Sequence, residues 1–156
     1  MSDLVFPELV ARSSFASEDD FIEACYAFFK ADFLDARPVF RNTRMGLKSL
    51  PKRNGKEATF YHMTTTGNDE ENRTLDVDRS ERIRWAKPVI ENESHNQIRV
   101  WTERHRGQAR IHLWHHDEDY VLVIAARNGY YLPWTAFYIN YSNYRQKLER
   151  RWIRNR

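Results

Sequence analysis

The sequence predicts an α+β fold: an N-terminal helix packed on a small antiparallel sheet, a meander of about four to five strands, closed by a basic C-terminal helix. Three observations carry that prediction. Apolar residues recur at three- and four-residue spacings between Phe21 and Phe33. Strand-forming runs separated by turn signals fill residues 97 to 139, and a cation-rich stretch with helix-forming residues follows from Ser142. A length of 156 residues suits one domain, 1–156, made of an acidic helical part (1–36), a sheet part (37–141) and the basic helix (142–156).

Ser17 followed by Asp20 resembles a capping box, and Glu18, Asp19 and Asp20 favour a helix N-terminus electrostatically. The aromatic stripe of Phe21, Cys25, Phe28 and Phe29, flanked by Ile22, Tyr26 and Phe33, is suited to packing on a sheet. The helix is expected to end near Asp35, before Arg37-Pro38. Gly46, Pro51 and Asn54-Gly55 then mark a short strand and a loop. Residues 58–65 read as a strand, with Phe60, His62 and Thr64 on one face and Tyr61, Met63 and Thr65 on the other. Residues 67–72, GNDEEN, read as a polar loop.

From residue 97 the meander runs through QIRVWTE, a turn at HRGQ, RIHLWHH, a turn near HDED, YVLVIAAR, an Asn128-Gly129 hairpin signal and YYLPWTAFYI. Alternation puts Ile98, Val100, Ile111 and Leu113 on the face that receives the N-terminal helix. Arg99, Trp101, Arg110, His112, Trp114 and His116 fall on the other face, which reads as a wet working surface. Tyr120 to Ala126 does not alternate, as expected of a central strand covered on both sides. Pro133 places the last strand at an edge or bulge.

Charge is distributed unevenly. Residues 1–35 carry eight acids against two bases, while residues 37–56 hold seven Lys or Arg and no acid, and residues 141–156 hold six against Glu149. Clustered cations beside aromatics suit a polyanion, and RNA is the expected partner. The longest apolar run, residues 120–126, is too short to cross a bilayer. A single cysteine, Cys25, and the lack of a basic-then-apolar leader at the N-terminus give a cytoplasmic expectation with no membrane partner.

The stretches FYHMTTTG at 60–67, RSERIRWAKPVIEN at 79–92, and Asp119-Tyr120 leading into VLVIAARNGYYLPWTAF at 121–137 together resemble the phage- and plasmid-associated branch of the Barnase, EndoU, colicin and RelE ribonuclease-like superfamily, over roughly residues 40–150. The resemblance implies an N-terminal helical portion, a sheet with one RNA-binding face, and metal-independent chemistry. It matches His62 and Thr64, Arg82 and Trp85, and Trp134 to Ala136 to the family's motifs. Phe137 stands where the family form carries Tyr, which puts a phenol's role there in doubt unless Tyr138 takes it.

RNA cleavage without a metal needs a base for the ribose 2′-hydroxyl, an acid for the departing oxygen, and positive charge on the phosphate. The candidate catalytic residues are His62, Arg82 and Thr135. Thr64, Arg79, Trp85, Arg99, Trp101, Arg110, His112 and Trp114 are the candidate RNA contacts, with arginine forks for phosphate and rings for bases. No cofactor and no metal is expected: His112, His115 and His116 do not share one strand face. The expected function is a metal-independent ribonuclease, a toxin or mobile-element protein with a protein antitoxin as a further partner. A catalytically silent nucleic-acid- or protein-binding module on the same fold is the alternative.

Overall fold

The computed structural model describes residues 2–156. After a 3-10 turn at Arg12–Ser14 comes helix α1, Glu18–Phe29, continued by a π-helical turn at Lys30–Asp35. A hairpin of β1 (Val39–Phe40) and β2 (Thr43–Arg44) leads to α2, Ala58–Thr64. Strand β3 (Thr65–Thr66) pairs with β4 (Thr74–Leu75) around a 3-10 turn at Glu70–Asn72. Helix α3 (Val77–Glu81), a 3-10 turn at Ile83–Trp85 and α4 (Ala86–Glu91) precede the main sheet. That sheet is β5 (Ile98–His105), β6 (Gln108–His115), β7 (Tyr120–Arg127) and β8 (Tyr130–Tyr138), followed by α5, Ser142–Asn155.

The four long strands lie in sequence order, each antiparallel to the next. The expected α+β class and meander are therefore observed. Local chemistry explains the elements. Ser17 Oγ accepts from Asp20 N at 3.1 Å and caps α1, a contact worth about 1 kcal/mol. Arg106 and Gly107, both at positive φ (52° and 79°), form the two-residue turn between β5 and β6, where such a turn matches strand twist. The inner strand β7 is buried along residues 120–125, in keeping with its unbroken apolar run. Pro133 lies in the edge strand β8, beside a register shift between Val123 and Ile124: Thr135 faces Val123, Pro133 faces Ile124, and Trp134 is the extra residue of a bulge.

One face of the sheet supplies Ile98, Ile111, Leu113, Leu122 and Ile124 to the main core, against Phe21, Cys25, Phe29 and Phe33 from the N-terminal helix. This is the face that alternation assigned to that helix. The opposite face departs from the sequence expectation. It is not a wet surface, because α5 lies across it and forms a second core from Trp101, Trp114, Val121, Val123 and Leu148, with Tyr144 and Trp152 packed on them. Tyr144, Leu148 and Trp152 recur every fourth residue, an apolar stripe within a basic helix. Arg151 fixes the helix to Glu103 at 2.6 and 2.8 Å, and Arg145 donates to Asp119 and to the His116 carbonyl.

Residues 58–64 form a helix rather than the expected strand. The period-two alternation of rings and hydroxyls there is misleading, since Ala58, Thr59, Phe60, His62, Met63 and Thr64 are all buried. Thr64 Oγ1 and Thr65 Oγ1 donate back to the carbonyls of Phe60 and Tyr61 at 2.8 and 2.5 Å, so the hydroxyls serve the helix end. The helix packs along β8, sending Phe60 and Met63 into the main core. His62 is left beside Thr135 and Trp134 at the sheet edge.

Candidate functional site

Where α2 meets the edge strand, a cavity of about 510 Å³ is lined by His62, Glu70, Arg73, Arg79, Trp134 and Thr135. His62 Nε2 is 2.5 Å from Glu70 Oε1, and the imidazole meets the Trp134 ring edge to face at 5.4 Å. The Thr135 hydroxyl donates to the His62 carbonyl at 3.1 Å and accepts from Arg79 Nη1 at 3.4 Å. Arg79 Nη1 also donates to the Thr65 carbonyl at 2.8 Å, and its Nε lies 3.3 Å from Asp76 Oδ2. Burial lowers the Arg79 guanidinium from its ordinary value, against the opposing pull of Asp76.

The turn that delivers Glu70 is held by Arg73. Its guanidinium donates to Thr65 Oγ1, the Thr65 carbonyl and the Gly67 carbonyl at 2.8, 2.5 and 2.9 Å. Gly67 sits at φ 140°, a conformation open essentially to glycine alone, and a Cβ there would lie 3.4 Å from Arg73 Cα. Partial burial works to raise the Glu70 carboxyl. The hydrogen bond with His62, and the charges of His62, Arg73 and Lys48, outweigh it and hold the carboxyl below its ordinary value. A charged carboxylate therefore faces the imidazole at neutral pH. Such a pair can accept and return a proton, with the carboxylate fixing the orientation of the ring.

A second cavity of about 250 Å³ adjoins the first across Trp134, Thr135 and Phe137, which line both. Its far wall carries Arg110, His112 and Arg151. His112 stacks on Trp101 at 4.9 Å and 9°, donates from Nδ1 to the Arg110 carbonyl (3.3 Å) and accepts from Arg151 at Nε2 (3.2 Å). Burial, then the charge of Arg151, pushes the imidazole down to about 4, so it is neutral at physiological pH.

The sequence candidates thus divide. His62, Arg79 and Thr135 meet in the first cavity, and Arg110 and His112 line the second. Arg82, expected beside His62, instead lies over the Tyr138 ring at 3.6 Å and donates to the Asp78 carbonyl, because α3 ends at Arg82 and turns it away. Thr64 is buried and bonded within α2. Trp85 is stacked on Phe6 in the core and donates to the Pro7 carbonyl. Trp101 and Trp114 are 2% and 0% exposed beneath α5, out of reach of a base, and Arg99 lies between Trp114 and Trp152, 3.7 Å from Glu149. Tyr138 stays with Arg82, whereas Phe137 meets the ring of Tyr144 from α5 at 5.7 Å. Glu70 and Arg73 were missed. Both lie in or beside a polar loop whose composition gives no sign that it folds back on His62.

Among the described residues no three His, Cys, Asp or Glu side chains gather in a way that could hold a metal ion, and no helix is long and apolar enough to cross a membrane. No protein-family model, curated protein or solved structure matches the chain.

Proposed function

We propose that the protein is a metal-independent, ribonuclease-like enzyme that cleaves RNA at the cavity between α2 and β8, within the superfamily that the sequence resembles. The observation that carries the reading is the 2.5 Å pair of His62 and Glu70 opening on a cavity that also holds Arg73 and Arg79. In the reaction the ribose 2′-oxygen attacks the adjacent phosphorus and the bond from phosphorus to the 5′-oxygen breaks. His62 takes the 2′-hydroxyl proton while Glu70 holds the ring, and water returns a proton to the departing oxygen. The two guanidinium charges oppose the charge that builds on the phosphate, a low-dielectric effect for groups set in place beforehand.

Purified protein incubated with total RNA in the presence of chelator tests this reading, beside Glu70→Gln. Chelator-resistant cleavage that collapses in the variant supports it. An RNA-binding module without catalysis is favoured by one observation, the confinement of His62 to 9% exposure. RNA that is bound but left intact by the wild-type protein would put that module in first place.

A further inference from the structure

The second cavity holds a feature that the His62 site does not explain. Arg110 is only 8% exposed, its Nη1 is buried without a hydrogen-bond partner among the described residues, and its one side-chain bond is from Nη2 to Gln108 Oε1 at 3.0 Å. Among the described residues no carboxylate pairs with it. Glu103, the acid lining this cavity, is taken in two-pronged fashion by Arg151 and also accepts from Trp101 Nε1. Arg104 lines the same space, Arg110 lies over Trp134 at 4.5 Å, and Arg127 and Lys48 lie over that ring at 5.5 and 5.8 Å. A guanidinium withdrawn from water with a donor unused is costly unless an anion completes it. A planar fork of this kind matches phosphate oxygens.

We propose that this cavity is a phosphate-binding subsite with Arg110 as its principal donor, and that it takes the phosphodiester next along the strand from the one at His62. The second half of the statement rests on the ribonuclease reading; the first does not. Trp134, Thr135 and Phe137 line both cavities, so a strand can pass from one to the other over their shared wall. Glu103 stays neutralised by Arg151, which leaves Arg110 without a counter-charge, and Arg127, over the same Trp134 ring, is the second cation beside it. The substrate is then single-stranded and engages at least two consecutive phosphates.

The test follows the Arg110 guanidinium resonances by NMR, assigned with Arg110→Lys, while inorganic phosphate is titrated at low salt. A saturable shift is expected, weakened at least threefold in Arg127→Gln. An Arg110 signal that does not move, or a titration that Arg127→Gln leaves unchanged, overturns the subsite. All-deoxy oligonucleotides, which lack the 2′-hydroxyl, separate a strand from a free anion. One with two phosphodiesters is expected to bind at least tenfold more tightly than one with a single phosphodiester, and equal affinities overturn the strand path. An Arg110 shift in a protein that cleaves no RNA keeps the subsite and rejects the ribonuclease.

Discussion

Glu70 Oε1 stands 2.5 Å from His62 Nε2 although the two residues belong to different elements, His62 to α2 and Glu70 to the turn between β3 and β4. Arg73 gathers the carbonyls of Thr65 and Gly67 and so holds that turn against the helix. On the reading proposed above, His62→Ala is expected to lower the cleavage rate about a hundredfold or more, the scale of a general acid or base. The circular dichroism spectrum should be unchanged. A variant that still cleaves at the wild-type rate would return His62 to a purely structural role.

Gly67→Ala is expected to cost about 1–3 kcal/mol of unfolding free energy, since φ 140° strains any residue with a side chain. Denaturant unfolding measures it. Because the same turn carries Glu70, activity in the folded variant should fall together with stability.

RNA affinity is expected to decline with salt through the cations around Trp134 and not through Arg99, which is held against α5. Lys48→Gln with Arg127→Gln should reduce the slope of log affinity against log salt by about 1.4, at roughly 0.7 per phosphate contact on a single strand. Arg99→Gln should leave the slope as it is. Equal slopes in all three proteins would remove Trp134 from the binding surface.

Acid should destabilise the fold in two successive windows. Burial and Arg151 hold His112 at about 4 against an ordinary 6.5, so the unfolded chain takes a proton first and stability falls between pH 6.5 and 4. The hydrogen bond from Arg151 draws Glu103 down to about 2 from 4.5, against its partial burial. Its contribution is complete above pH 4.5 and is lost as pH falls toward 2. Unfolding followed across pH should therefore lose the upper window in His112→Gln and the lower one in Glu103→Gln.

Leu148→Ala is expected to destabilise by about 2–5 kcal/mol, the usual range for a buried leucine truncated in a packed core. Its tryptophan emission should shift as Trp101 and Trp114 gain solvent. A neutral outcome would mean that α5 is not needed to cover the sheet.

What could be read from the sequence was local. The Ser17 cap, the two-residue turns and the edge position of the Pro133 strand each rest on residues close together in the chain. Alternation correctly grouped Trp101, His112 and Trp114 on one face. Yet a face assignment says nothing about what covers the face: the basic C-terminal helix was expected, and only the spacing of Tyr144, Leu148 and Trp152 marks the stripe by which it covers these rings. The choice between Arg79 and Arg82 depended on where α3 stops, a matter of backbone dihedrals at Arg82. Glu70 was illegible for a different reason: its meaning comes from a turn clamped by an arginine that follows it.

The bulge in β8 puts Trp134 and Thr135, neighbours in the chain, on the wall shared by both cavities. In a regular strand neighbouring residues point apart, so this wall is encoded by a residue count as well as by residue identity. Conservative replacement of Trp134 by another ring would leave the spacing of the two cavities intact. Deleting it would restore an uninterrupted ladder and close the interval between Pro133 and Thr135 by one residue. The chain could then keep its sheet, its helices and every other side chain named above, and still lose the alignment of the Arg110 cavity with the His62 cavity, which on the proposed reading are where a strand is gripped and where it is cut.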